Sequence, residues 1–428
     1  MSKDWQVWLN INVDVHSNFL LNSRNKCIGK NIVFNGNPEI LFISDNISII
    51  GYGKIYNEPE LWKILNIPHY INIENKNNHS LRIIVELYKK YGFEDMLELI
   101  EGDYSFLLLD YNIHGDESWL YVVKDPFGIY PLYYYENLNN HPKKVQFEIE
   151  MKYYCFSSSE YSDNYEYKPF LSGHYQKFSH SHKVSAIWKR NHRPSLFYKL
   201  PFCSIYNDSD HYNTIEYQHK QIQMAIEKRL RWISYKNEKT SLDKKIKIGV
   251  LCLIPEIDNI NITNIFTYLE KKDDVEVVSI TPLSIQNKDN SFVFEWTKFI
   301  PLENRNDLGS SILQIEYMEK EYPTIITRLK TLLNSNDPYV IRSHFIPMII
   351  AKYLTENMPD IKHVFLGEKF TFDWIEKKYL ERRKWIMQIY LDDMMKGWTQ
   401  IFLSYGIELY MPFLDRILMQ NIKPISIL

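Results

Sequence analysis

Cysteine is scarce in this chain of 428 residues, which contains only four. The four are far apart in the sequence, at Cys27, Cys155, Cys203 and Cys252. No two of them form a Cys-x-x-Cys pair, so the sequence predicts neither a zinc knuckle nor a disulfide framework. These absences argue against a small zinc protein and against a disulfide-stapled secreted domain.

Long apolar runs are also absent. No stretch of about 18 consecutive apolar residues occurs, so we predict no membrane span and no membrane partner. Residues 1–5 lead into an alternating segment instead of the apolar core of a secretory signal. We therefore expect a cytoplasmic protein.

The chain has no large excess of charge of either sign. It carries 50 basic and 53 acidic residues, a net charge of −3, so no general attraction to nucleic acid is expected. A basic cluster at residues 382–384 has Glu376 and Glu381 close by, which is typical of a solvated helix face. We predict no nucleic-acid partner.

The first half has the pattern of a β-rich domain. Residues 6–15 alternate between apolar and polar side chains, and a helix is predicted over 81–91, with Gly92 at its C-cap. Further strands are predicted at residues 40–43, 47–50, 104–110, 119–124 and 131–135, with a turn at 125–128.

The second half changes to an alternation of strands and helices. Buried strands are predicted at 246–253, 275–281 and 363–366. Helices are predicted at 214–232, 262–271, 314–333, 343–356 and 370–405. This order predicts a parallel sheet with helices on both faces.

Several motifs occur in the order found in one known family. In the first half these are GYGKIYN at 51–57, LYKKYG at 87–92, EGDYSF at 101–106 and KDPFGIYPLYY at 124–134. In the second half they are SGHY at 172–175, the strand at 246–252, VFLGE at 364–368 and GIELYMPFLD at 406–415. Together they resemble the glutamine-hydrolysing asparagine synthetase family.

The resemblance implies a fold for each half. Residues 1–210 are expected to form a class II glutamine amidotransferase domain, an α+β sandwich of the N-terminal-nucleophile type with αββα layers. Residues 211–428 are expected to form an α/β parallel-sheet domain like the family's ATP-pyrophosphatase domain, shortened at its C-terminus.

The residues at the glutaminase positions depart from the family's pattern. The family's nucleophile is an N-terminal cysteine whose own α-amino group serves as the base. Here residue 2 is Ser2, and residues 3–5 separate it from the predicted strand, so a working nucleophile is not expected. Cys27 lies inside the chain without a free amine, and we expect it to be a buried or loop thiol.

Three supporting glutaminase positions also differ. The family's Asn-Gly-Glu aligns with Tyr52, Gly53 and Lys54, and its Asp before the following helix aligns with Ser80. Loss of the Asn removes an oxyanion-hole donor, which is worth roughly 3 kcal/mol. Lys54 reverses the charge that meets the substrate ammonium, so we predict no glutaminase activity.

The pyrophosphate loop of the family would follow the predicted strand that contains Leu251 and Cys252. Here the loop contains Ile254, Pro255 and Glu256, which add a bulky side chain, remove an N–H donor and place a carboxylate near the phosphates. Leu251 is therefore interpreted as a vestigial nucleotide-binding position.

A second family loop keeps only part of its pattern. Gly367 and Glu368 remain, and Glu368 matches a catalytic glutamate, although a Gly-Glu pair after a strand is also typical of a helix start. The metal-side acids are replaced by Thr371 and Phe372. We interpret Gly367 and Glu368 as vestigial, and predict no metal site and no cofactor.

Three functions remain open at this point. The first is a pseudoenzyme with both sites degraded, which binds an unknown protein partner or itself. The alternative is an amide-forming ligase with altered active-site residues, which would use ATP and Mg. The third is a structural component whose aromatic residues, 15% of the chain, serve interfaces.

Overall fold

A computed structural model describes most of the chain. The described residues are 5–9, 25–29, 32–36, 41–67, 79–111, 117–137, 153–157, 168–181, 188–198, 215–237, 245–251, 265, 267–280, 282–286, 292–296, 313–316, 322–333, 335–366, 394–416 and 418. The chain divides into two compact units, Met1–Lys199 and Leu200–Leu428. The boundary predicted at residue 210 lies outside the described residues and stays a prediction.

Two antiparallel sheets form the first unit. Their strands are β1 (Trp5–Leu9), β2 (Asn25–Gly29), β3 (Ile32–Gly36), β4 (Leu41–Ser44), β5 (Ile47–Ile55), β6 (Gly102–Asp110), β7 (Glu117–Lys124), β8 (Tyr133–Asn137), β9 (Tyr153–Ser157), β10 (Lys168–Pro169), β11 (His174–Ser181), β12 (Lys189–Arg190) and β13 (Ser195–Leu196). One sheet has the order β10-β8-β9-β1-β3-β2, and the other has the order β12-β11-β7-β6-β5-β4, with β13 paired to β11.

Helices cover one face of the second of these sheets. They are α1 (Glu58–Leu65), α2 (His79–Tyr91) and α3 (Phe93–Leu99). The predicted helix at 81–91 is confirmed, and Ile83, Ile84 and Leu87 form its buried stripe because they recur at helical spacing. Gly92 ends α2 with a φ of +83°, and its N–H donates to the carbonyl of Tyr88.

The opposite face of the same sheet carries a second apolar cluster. Alternation along β5 places Ile49 against the helices and Ile50 in this other cluster, with Val122 and Phe178. Tyr134 of β8, which belongs to the other antiparallel sheet, packs against it. The sheet is therefore buried on both faces along its central strands.

The second unit contains a parallel sheet, as the strand–helix alternation predicted. Its strands are β14 (Ile246–Leu251), β15 (Val275–Ile280), β19 (His363–Leu366) and β20 (Glu408–Tyr410), in the order β15-β14-β19-β20. Every pair in this sheet is parallel. Its helices are α4 (Ile215–Asn237), α5 (Tyr322–Leu333), α6 (Pro338–Asn357) and α7 (Lys396–Ser404), and a 3-10 helix spans Pro412–Leu414.

A three-stranded antiparallel sheet in this unit was not predicted. It consists of β16 (Pro282–Gln286), β17 (Phe292–Trp296) and β18 (Leu313–Glu316). The helix predicted from residue 314 was wrong at its start, because 313–316 is a strand and the helix begins at Tyr322. Four residues are too few to separate a helical period from a strand period, and the pairing with β17 decides.

Within the described part of the chain, no helix combines the length and the apolar character needed to cross a bilayer.

Candidate functional site

The face of the β5–β6–β7 sheet that points away from the helices becomes polar at one end. Lys54 of β5 lies directly opposite Asp103 of β6, and Tyr52 lies opposite Ser105, which in turn lies opposite Lys124 of β7. Directly opposed residues have Cβ atoms about 4.5–5.5 Å apart, so these side chains form one group. All except Tyr52 are buried, which makes this a desolvated cluster of both charge signs.

Two tyrosines and a lysine meet at this polar end. The Tyr52 ring stacks on the Tyr130 ring, with centroids 5.7 Å apart and planes at 17°. The Lys54 Nζ lies 5.9 Å from the centroid of Tyr130, within cation–π range. Lys54 is only 4% exposed and Tyr130 only 7%, so the aromatic faces shield the ammonium group from solvent.

Ser80, the residue at the family's aspartate position, lies on the helix side of the same strand. Its hydroxyl donates to Glu58 Oε2 at 3.1 Å, and Trp62 Nε1 donates to Glu58 Oε1 at 3.2 Å. An ideal Cβ at Gly53 would lie 3.8 Å from Ser80 Cβ, so the two positions are close neighbours. The Ser80 hydroxyl is therefore engaged with a fully buried carboxylate that the sequence did not indicate.

The turn that follows β7 is organised by one carboxylate. Asp125 Oδ1 accepts hydrogen bonds from the backbone N–H groups of Phe127 at 2.9 Å and Ile129 at 3.3 Å. Oδ2 accepts from the N–H of Tyr130 at 3.4 Å. Gly128 adopts a φ of +70°, which glycine reaches without a Cβ penalty. The predicted turn at 125–128 is confirmed, but the sequence did not show that its Asp is fully buried.

Burial decides the protonation of Asp125. Its side chain is fully enclosed, and this burial, together with the nearby Asp103 carboxylate, raises the pKa of the Asp125 carboxyl to about 7. Lys124 and the backbone N–H donors favour the ionised form, but they do not outweigh the loss of hydration. The buried end of the sheet therefore holds a carboxyl group that titrates near neutral pH.

This titration predicts that stability falls as pH rises. The ordinary pKa of 3.8 lies below the folded value, so the native state binds more protons between the two values. The free energy of unfolding should then fall by about 1.4 kcal/mol per pH unit, or about 2 kcal/mol from about pH 5.5 to about pH 7. Chemical denaturation at several pH values measures this slope. Asp125→Asn should remove the Asp125 part of it, and the exposed control Asp45→Asn should keep it.

The second unit brings two predicted loop starts together. Leu251, the last residue of β14, lies beside Leu366, the last residue of β19, and both strands run in parallel. Gly367 and Glu368 follow Leu366 directly in the sequence, at the edge where ligands of such sheets bind. Ser2, Gly367, Glu368 and residues 252–264 lie outside the described residues.

Two other residues of the family's motifs form contacts within this unit. Tyr410 is fully buried, stacks on Phe365 and donates from its hydroxyl to the Glu408 carboxylate. Asp415 accepts from Arg229 Nη1 at 3.2 Å, and both side chains are buried. Within the described ranges, no three His, Cys, Asp or Glu residues are placed to hold a metal ion.

Both halves of the chain match known proteins. Residues 35–153 match the model of a glutamine amidotransferase domain, which covers the polar sheet end described above. A probable glutamine-hydrolysing asparagine synthetase of Acanthamoeba polyphaga mimivirus is 24% identical over 87% of this chain and 64% of its own length. The glutamine-hydrolysing asparagine synthetase of Bos taurus is 22% identical over 85% of this chain and 62% of its own length.

The chain is similar to glutamine-hydrolysing asparagine synthetases over most of its length. The resemblance drawn from the sequence motifs is thereby confirmed. The chain spans a little under two thirds of the length of the curated relatives that it matches.

The sequence motifs located this region of β5 but missed several of the residues around it. Tyr52, Lys54 and Ser80 were identified from the aligned motif, whereas Glu58, Asp103 and the role of Tyr130 were not. Aligning the two predicted strands as an antiparallel pair in the register of β5 and β6 would have placed Lys54 opposite Asp103.

Proposed function

We propose that this chain is a degenerate member of the asparagine synthetase family, a pseudoenzyme that has lost glutamine hydrolysis and serves as an interaction protein. The observation that carries the proposal is the arrangement of Tyr52, Tyr130 and Lys54. At the positions where the family's pattern holds the substrate, the side chains of this chain contact each other. We also propose that the first unit has the αββα layers of the N-terminal-nucleophile fold.

The chemistry of glutamine recognition supports loss of activity. A substrate ammonium needs a nearby anion, and Lys54 brings a buried positive charge to that position instead. The Ser80 hydroxyl supplies no charge, and it donates to Glu58. The Tyr52 ring takes the place of an amide donor, and its ring stacks on Tyr130. Restoring activity would require more than one substitution, because these contacts support one another.

For the second unit, the proposal rests on the sequence of its loops. Pro255 and Glu256 oppose the binding of a pyrophosphate group, and Thr371 and Phe372 cannot hold Mg²⁺ as carboxylates do. We infer that no ATP, Mg or other cofactor is used, and that the protein binds an unidentified protein partner or a second copy of itself in the cytoplasm.

One observation favours the alternative of an active amide-forming ligase. Leu251 and Leu366 end adjacent parallel strands, so the loop that contains Glu368 starts beside the loop that follows Leu251. Under this alternative, ATP supplies the energy for amide formation, and Glu368 is the one acidic residue that matches the family's catalytic glutamate.

A ligand-dependent thermal shift distinguishes the two functions. A ligand present at 100 times its Kd stabilises the native state by about 2.7 kcal/mol, which raises the Tm measurably. We expect no shift with glutamine, ATP–Mg or aspartate. Micromolar binding of ATP–Mg in calorimetry that weakens in Glu368→Ala would instead favour the ligase.

Loss of glutamine hydrolysis in the first unit is tested separately, by measuring ammonia release from glutamine. We expect none above the background of buffer. Steady release that disappears in Ser2→Ala would show that Ser2 is a nucleophile and would refute the proposal for this unit. Sedimentation of the purified protein then separates self-association from binding to another protein.

A further inference from the structure

The Asp125 carboxylate contacts the backbone at the C-terminal end of its turn through Oδ2. Oδ1 accepts from Phe127 and Ile129, whereas among the described residues Oδ2 accepts from the backbone N–H of Tyr130, at the longest of the three distances, 3.4 Å. Protonation on Oδ2 therefore disrupts one hydrogen bond and leaves two in place. A protonated carboxyl oxygen carries an O–H donor and accepts more weakly than a carboxylate oxygen, so its bond to a facing N–H group weakens.

The backbone of Asp125, at the start of the turn, is held by hydrogen bonds that protonation of its carboxylate does not affect. The Asp125 N–H donates to the carbonyl of Tyr104 at 2.8 Å, and the Asp125 carbonyl accepts from Gly128 at 3.2 Å and Gly173 at 2.8 Å. These are main-chain bonds, so they persist in either protonation state. Residue 125 stays in place while the restraint on Tyr130 changes.

We propose that residues 125–130 form a proton-operated latch, in which protonation of Asp125 on Oδ2 releases the Tyr130 backbone and loosens the Tyr130 ring from Tyr52 and Lys54. With Asp125 ionised, the ring is held against the polar end of β5. With Asp125 protonated, the face formed by Tyr52 and Lys54 becomes accessible.

The charges around the latch favour proton uptake near neutral pH. The titratable and charged groups on the packed elements are Lys54 and Tyr56 from the β5 side, Asp103 and Tyr104 on β6, Lys124 on β7, Tyr130 in the turn, and His174 and Tyr198 beyond it. Burial and Asp103 raise the pKa of Asp125 to about 7, while Lys124 acts in the opposite direction. A proton removes the repulsion between the two carboxylates.

The latch does not depend on the loss of catalysis. It controls access to Tyr52 and Lys54 whether that face binds a partner, a small molecule or nothing. Ammonia release and ATP binding therefore test the pseudoenzyme proposal, and amide exchange at Tyr130 tests the latch.

Hydrogen exchange of the wild-type protein, resolved to single amides and corrected for intrinsic rates, tests the latch. Between about pH 8.5 and about pH 5.5, the protection factor of the Tyr130 amide should fall about tenfold, with a midpoint near the Asp125 pKa. The Asp125 amide, bonded to Tyr104, is the internal reference and should stay protected throughout.

Asp125→Asn provides the matched variant because its amide group puts a donor where Oδ2 stood. Tyr130 should then be weakly protected at every pH, while Asp45→Asn, an exposed change, should behave as the wild type. Two results overturn the latch: protection of Tyr130 that does not change with pH in the wild type, or a loss shared equally by the Asp125 amide. If Asp125→Asn does not fold, the wild-type comparison of these two amides decides alone.

Discussion

Replacing Arg229 with methionine is expected to lower the free energy of unfolding of the second unit by about 3–5 kcal/mol. Arg229 is 1% exposed, and its guanidinium donates to Asp415, to the carbonyl of Ala225 and to the carbonyl of Met411. The change leaves the Asp415 carboxylate, 6% exposed, without its closest cation. Lys228 Nζ stays 3.5 Å from Asp415 Oδ1, so the dominant costs are the weaker compensation of this buried carboxylate and the loss of the guanidinium hydrogen bonds to the two carbonyls.

Thermal and denaturant unfolding of the full chain measure this loss. At about 2–4 °C per kcal/mol for a unit of this size, the transition of the second unit should move down by roughly 6–20 °C. The first unit should unfold at the same temperature and denaturant concentration as in the wild type.

Two further variants show that the effect comes from the buried pair. Arg231→Met, two residues along the same helix, removes an exposed bridge to Glu227 and should cost less than about 0.5 kcal/mol. Arg229→Met combined with Asp415→Leu removes both buried charges and should recover much of the loss. Equal losses in Arg229→Met and Arg231→Met would show that burial of the pair is irrelevant.

Gly51→Ala is expected to destabilise the first unit by at least about 3 kcal/mol. Gly51 has a φ of +151°, and an ideal Cβ there would lie 2.2 Å from the Ser105 carbonyl oxygen and 2.6 Å from Phe106 Cα. Both atoms belong to the backbone of β6, so no side-chain rotation relieves the overlap. Strand pairing between β5 and β6 would have to distort.

Gly53→Ala is the matched control for this substitution. It lies two residues further along β5 on the same face, but its nearest contact would be Tyr104 Cβ at 3.7 Å, an ordinary distance. We expect no loss, or a gain of about 0.5 kcal/mol from the removal of a strand glycine. Chemical denaturation of both variants measures the contrast. Similar stabilities for the two variants would contradict the close approach of β5 and β6 at Gly51.

The local elements followed from periodicity because their signals lie within a few residues. The spacing of Ile83, Ile84 and Leu87 predicted α2, and Gly92 predicted its end. The parallel sheet followed from the alternation of strands and helices. Residues 313–316 were assigned to the wrong class because a four-residue strand has too few positions to display a period.

The sequence by itself determined which side chains occupy the family's positions: Tyr52, Lys54 and Ser80 where the family's pattern has an amide and two acids. Only the tertiary structure decided what those side chains do. Tyr130 stacks on Tyr52 because a turn far along the chain returns to β5, and Asp103 lies opposite Lys54 because of strand register. Protonation near neutral pH depends on enclosure, so the behaviour of Asp125 could not be read from its motif. Pairing and burial between distant segments leave no local pattern in the sequence, which is why they required the fold.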